Sequence, residues 1–167
     1  ELAEAVRRFR ALKAELGVID FGDQIGHAVR IVREHPEVGT AYRDRFGAVL
    51  LGEYQDANHA QAVLMAAIFR EGRPVTAVGD PDQNIYAWRG ASLQNILRFG
   101  EDFGGQDPAQ ERPLFVNFRS GSRILAAADG VIGKVPPERR AADKHLRPHS
   151  GRGEGKVLGF VASDART

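Results

Sequence analysis

Three short apolar runs, Phe46–Leu51, Val75–Val78 and Pro113–Val116, each lead straight into a polar cluster. The clusters are Gly52-Glu53-Tyr54-Gln55-Asp56, Gly79-Asp80-Pro81-Asp82-Gln83 and Asn117-Phe118-Arg119-Ser120. The first run lacks polar/apolar alternation, which predicts a parallel strand covered on both faces. Helical patterns follow the runs, over His59 to about Phe69, Leu93–Phe99 and about Ser120–Ile132. This alternation of strand and helix predicts an α/β fold with a mainly parallel sheet. Ligands bind such sheets at the carboxyl ends of strands. Three strand ends offering carboxylate, amide or guanidinium therefore predict one shared polyanion site, with a metal or a water.

Elsewhere the pattern is helical or irregular. Leu2, Val6, Phe9, Leu12 and Leu16 recur at helical spacing over Glu1–Leu16, with no starting methionine and no capping residue ahead of them. That predicts a segment of a longer protein. Asp20-Phe21-Gly22-Asp23 opens a second helix to about Arg33, capped by Asp20 or Asp23, and His35-Pro36 ends it. A short basic helix or turn is expected near Thr40–Arg45, and a polar loop over Gly104–Gln110. Residues 133–154 read as a Pro/Arg/Gly-rich connection and Lys156–Ala162 as a last strand.

Composition narrows the class. With 43% apolar residues in 167, the chain can bury a core, and no window approaches the ~20 apolar residues of a spanning helix. The absence of cysteine excludes disulfides and thiolate metal sites and fits a cytoplasmic protein. The formal charge of +1 says nothing about partners. The base-rich stretch Arg112–Arg152 either touches phosphate or is a solvated surface.

The run Gly79–Ala91 is the densest in chemistry. It joins a tight turn, Asp80, Asp82 and Gln83 to Tyr86, Trp88 and Arg89. Phosphate sensing at one end and base stacking at the other would use all of these. Trp88, the single tryptophan, is either such a stacking residue or a core anchor.

Taken together, these segments resemble the superfamily 1 DNA helicases of the UvrD/Rep/PcrA type. Leu50–Asp56 resembles motif II, D-E-x-Q-D; Gly79–Ala91 resembles motif III, G-D-x-x-Q-x-I-Y-x-F/W-R-G-A; Leu114–Ser120 resembles motif IV, L-x-x-N-Y/F/W-R-S. Asp20–Gln24 resembles the segment that precedes motif II, so the likeness runs over roughly residues 1 to 165. It implies a RecA-like, P-loop NTPase-type parallel sheet with flanking helices, incomplete in this chain. Residues 1–16 would end an inserted helical subdomain, 17–116 would be the later part of the first RecA-like domain, and 117–167 would carry motif IV and begin the second.

The same resemblance implies roles. Glu53 would be the general base for the water that attacks the γ-phosphate of ATP; Gln83 and Arg119 would contact that phosphate. Tyr86, Trp88 and Arg89 would line the DNA path. A solvent-facing glutamate, a turn glutamine and a surface arginine are the plainer readings of Glu53, Gln83 and Arg119. Asp80 and Asp82 are read as turn caps and Tyr54 as structural. The longer protein would use ATP and Mg²⁺, single-stranded or duplex DNA and the remaining helicase lobes, and no membrane.

Two departures stand out. Gly52 occupies the position of the aspartate that holds Mg²⁺ in the family, so no metal ligand is expected there. No G-x-x-x-x-G-K-S/T loop occurs: Gly155-Lys156 is followed by valine, and Ser150 stands where the first glycine should be. By itself this chain is expected to hold nucleotide weakly and not to hydrolyse it. The competing expectation is a degenerate helicase-like module that binds DNA or protein without ATPase activity.

Overall fold

The computed structural model describes residues 1–104, 109–136 and 144–159. The chain divides into two compact units, Glu1–Gln110 and Glu111–Thr167. It is a mixed α/β structure with two small parallel ladders.

The first unit opens with three helices. α1 spans Leu2–Leu16 and α2 spans Phe21–Glu34. Asp20 caps α2 through a reciprocal pair: its side chain accepts from the Asp23 amide and Asp23 returns the bond to the Asp20 amide. Lys13 reaches both carboxylates, at 2.8 and 2.5 Å. Its hydrogen bonds to Asp20 and then Asp23 raise the Lys13 pKa, and Lys13 lowers both of theirs. α3, Pro36–Arg43, starts earlier than the expected basic turn because Pro36 sits at the first helical position, where a missing N–H costs nothing.

Next come β1 (Val49–Leu51), α4 (His59–Phe69) and β2 (Val75–Ala77). β1 and β2 pair in parallel, Val49 with Val75 and Leu51 with Ala77. Their inner face meets a core of Val32, Leu64, Ile68 and Phe69, against which Val49 and Val75 pack. α4 is apolar on nearly every side and accordingly supplies three of those core residues.

One expectation is corrected here: β1 is covered on one face only. Leu50 is 81% exposed, because α2 and α4 pack on the Val49/Leu51 side and no described residue covers the other.

α4 begins on a capping box. Asn58 Oδ1 accepts from the Gln61 amide and Gln61 Oε1 accepts from the Asn58 amide, both at 2.9 Å. Asn58→Ala is therefore expected to cost about 1 kcal/mol. A urea unfolding midpoint measured on both proteins checks this.

α5 (Leu93–Leu97) and α6 (Phe99–Phe103) replace the single helix expected at Leu93–Phe99, with a break at Arg98. The polar loop expected over Gly104–Gln110 lies mostly outside the described residues.

The second unit holds β3 (Val116–Asn117), α7 (Ser122–Ile132) and β4 (Arg147–Pro148). β3 starts later than expected and pairs in parallel with β4. The last strand, expected over Lys156–Ala162, forms no ladder at 156–159, and 160–162 lie outside the described residues. Arg139 and Arg140 of the basic stretch also lie outside them. Among the described residues no helix is long and apolar enough to cross a membrane.

Candidate nucleotide and nucleic-acid site

At the end of β1 the backbone turns sharply. Glu53 takes a left-handed conformation, φ 51° and ψ 41°, and is the one non-glycine residue with positive φ among the described residues. Such a backbone persists only where its surroundings hold it. Tyr54, one residue on, supplies the hold. It is 3% exposed, its amide donates to Val78 O, and its ring stands edge-on to Phe99 at 5.8 Å and Phe103 at 6.4 Å. Burial, then the nearby Asp102 charge, pushes the Tyr54 hydroxyl up to about 12. Tyr54 is thus a structural anchor, as its sequence setting suggests.

The end of β2 packs onto this turn. Asp80 Oδ1 accepts from the Asp82 amide and Asp80 Oδ2 accepts from Gln83 Nε2 at 2.7 Å, closing the short turn Pro81–Gln83. Gln55 joins the two strand ends. Its Oε1 accepts from the Asp80 amide at 3.1 Å and its Nε2 donates to Glu53 Oε2 at 2.8 Å. Asn84 Nδ2 donates to the Gln55 carbonyl at 2.5 Å. Farther along, Ser92 N and Asn95 Nδ2 both donate to Ala57 O.

With the Tyr54 amide bond to Val78 O, five hydrogen bonds join the segments 53–58 and 78–95. Glu53 and Gln83, singled out separately from the sequence, lie in one hydrogen-bonded chain: Glu53, Gln55, Asp80, Gln83. Gln55 and Asn84 were not singled out. For Gln55 the signal was present: it stands at the glutamine of the D-E-x-Q-D pattern that residues 50–56 resemble.

Gly79 makes this junction possible. A Cβ there would sit 2.7 Å from Gln55 Oε1 and 2.7 Å from Ile96 Cδ1, so any side chain would displace the bridging amide. Gly52 differs: a Cβ built on it meets nothing within 4 Å. An open hollow of about 470 Å³ borders Gly52 and Glu53, with Ile25, Gln61 and Met65 on its walls. At this strand end Glu53 is the carboxylate next to the position where the family pattern has its metal-holding aspartate. Gly52 itself offers no side chain to a metal.

Beyond the turn the aromatics face outward. Trp88 is 78% exposed, which removes the core-anchor alternative. Tyr86 lies 6.4 Å from it, tilted by 56°, and the Arg89 guanidinium lies 5.5 Å from the indole centre. An exposed aromatic pair beside a cation has the chemistry to stack on a planar group.

In the second unit, Asn117 Oδ1 accepts from the amides of Arg119 and Ser120 at 2.8 and 2.7 Å, folding the backbone into a tight Asx turn ahead of α7. Arg119 is exposed and its guanidinium bonds to no other described residue. Phe118 stacks on His149 at 4.8 Å.

Comparison with known proteins places this sequence in a family. An ATP-dependent DNA helicase UvrD1 from Mycobacterium tuberculosis is 40% identical over 168 residues, covering 96% of this chain and 20% of the relative. DNA helicase II of Rickettsia typhi is 42% identical over 118 residues, 69% of this chain and 17% of that protein. DNA helicase II of Escherichia coli is 38% identical over 116 residues, 70% of this chain and 16% of that protein. The chain thus spans about a fifth or less of the length of these curated relatives. Residues 1–104 match the model of the UvrD/REP helicase N-terminal domain, and the chain belongs to the UvrD/REP helicase family.

Proposed function

We propose that this chain is the coupling segment of an ATP-dependent DNA helicase or translocase of 3′-to-5′ polarity, acting in DNA repair or recombination in the cytoplasm. The observation that carries the reading is the hydrogen-bonded chain from Glu53 through Gln55 and Asp80 to Gln83, continued by the exposed Tyr86, Trp88 and Arg89. One end offers a carboxylate and an amide to a nucleotide; the other offers ring faces to bases.

In this reading the longer protein closes two RecA-like lobes on ATP. Residues 1–16 end an inserted subdomain, 17–116 belong to the first lobe and 117–167 to the start of the second. Glu53 orients and deprotonates the attacking water, while Gln83 lies against the γ-phosphate. Arg119 neutralises charge on the transferring phosphoryl group. Hydrolysis reopens the cleft, and the motif III loop passes the change to the DNA grips.

Trp88 gives the direct test. As the single tryptophan of these 167 residues, it reports alone once any tryptophan elsewhere in the full-length protein is replaced by phenylalanine and emission is excited near 295 nm. Adding oligo-dT to the full-length protein is expected to quench its emission, and Trp88→Ala to weaken binding by ~1–3 kcal/mol. Binding with no quenching would remove the stacking role.

Gly52 favours a second reading: a helicase-like module that binds DNA or a partner protein and turns over no ATP. Restoring the carboxylate at this position separates the two.

A further inference from the structure

We infer that Gln55 is a positioning residue: its side-chain amide fixes the Glu53 carboxylate and the Asp80–Gln83 turn as one unit, so that a contact made at Gln83 and the aim of Glu53 change together. The inference rests on the reading that Glu53 and Gln83 serve a nucleotide.

Gln55 is 1% exposed, the most completely buried large side chain among the described residues. Burying an amide is costly unless both of its ends are bonded. Here both are, and the assignment of oxygen and nitrogen is not arbitrary. The Asp80 backbone N–H is a donor, so it must meet the amide oxygen, which leaves the NH₂ for Glu53.

The two bonds differ in what they contribute. The oxygen satisfies a partly buried N–H and the Gln55 carbonyl holds Asn84, so that half is structural. The NH₂ instead donates to an exposed carboxylate that water would solvate equally well. For the carboxylate the bond only replaces one to water, while for the buried NH₂ it satisfies a donor that would otherwise be left without a partner. It also selects one orientation of a carboxylate that stands on a left-handed backbone. A close approach at Gly79 keeps the amide in place from the other side.

The test separates the two halves. Gln55→Glu keeps an oxygen for the Asp80 amide but sets a second oxygen against Glu53. Gln55→Leu removes both bonds, and Glu53→Gln serves as the control for the underlying reading. In the full-length protein, with Gly52→Asp as background, Gln55→Glu is expected to lower kcat about a hundredfold with KM for ATP little changed. While the pair of carboxylates holds its shared proton, the unfolding temperature should stay above that of Gln55→Leu, which loses both bonds. The pH–rate profile should move, because two facing carboxylates share a proton.

Loss of turnover in Glu53→Gln with normal kcat in Gln55→Glu would overturn the inference and leave the nucleotide reading standing. Full turnover in Glu53→Gln would overturn that reading instead. A second measurement needs no turnover. In the 167-residue chain, NMR of the Gln55 side-chain amide should show a clear shift in Glu53→Gln. Exchange of the Asp80 amide should accelerate in Gln55→Leu and not in Gln55→Glu. Gln55 resonances indifferent to Glu53→Gln would sink the bridge whatever the kinetics give.

Discussion

Gly52→Asp is expected to raise DNA-stimulated ATP turnover of the full-length protein by about a hundredfold, roughly 2.7 kcal/mol of barrier. The resemblance to motif II puts a carboxylate at this position, and the structure offers it room. A Cβ at Gly52 meets no atom within 4 Å, and Gly52 is not among the glycines with positive φ, so an L side chain enters without backbone strain. The new carboxylate would project beside the hollow that borders Glu53. Two neighbouring carboxylates repel unless a cation sits between them, so the gain should require Mg²⁺ and should vanish with EDTA. The urea midpoint should change little, which separates a chemical effect from a stability effect. A steady-state ATPase assay with and without oligo-dT reads the result. Unchanged low turnover in the aspartate variant, with DNA binding intact, would favour the binding-module reading. Ordinary helicase rates with Gly52 in place would mean that this position matters less than its chemistry suggests.

The sequence made some of this legible and some not, for identifiable reasons. Helices with a local signal came through well: the apolar spacing of α1, the Asp20 cap of α2 and the span of α4 all match. β4 could not be read. Arg147-Pro148 has no strand composition, and proline lacks a ladder donor. The pairing is made by residues at its edges, Arg147 N to Phe115 O and His149 N to Asn117 O. The bare face at Leu50 was equally hidden, because an apolar run says that a strand is buried but not by which elements.

The site divides in the same way. Glu53, Gln83, Trp88 and Arg119 were visible because motif spacing names residue types. The motif names Gln55 as well, but not what it touches, since a glutamine reads as surface until the tertiary structure buries it. Its burial depends on Gly79, which lies 24 positions along the chain and in sequence looks like an ordinary turn glycine. Local pattern therefore named the candidate residues, while the hydrogen bonds that join Glu53 to Gln83 came from packing.

Arg119→Ala is expected to lower kcat for ATP by on the order of 10³–10⁵ in the Gly52→Asp background, the usual weight of an arginine that meets a transferring phosphoryl group. The local structure fits an arginine held ready for an external anion. The Asx turn from Asn117 fixes the backbone at 119 and 120, while the guanidinium is exposed and bonds to no other described residue. An arginine kept for stability would have a carboxylate or a carbonyl to meet, as Arg73 meets Phe46 O and Arg123 meets Glu154. Nor is Arg119 placed as a helix-stabilising cation. It precedes the N-terminal end of α7, which begins after Gly121, and that end of a helix favours negative charge. The substitution should therefore leave the unfolding midpoint within ~0.5 kcal/mol of the parent, as for other exposed positions. Lysine at 119 should recover only part of the loss, because an ammonium carries the charge without the planar fork that spans two phosphate oxygens. Single-stranded DNA affinity without nucleotide should be unaffected, whereas Trp88→Ala should weaken it, so the two substitutions separate a nucleotide contact from a DNA contact. An alanine variant that keeps kcat within tenfold of the parent would remove Arg119 from the chemistry and return it to the surface.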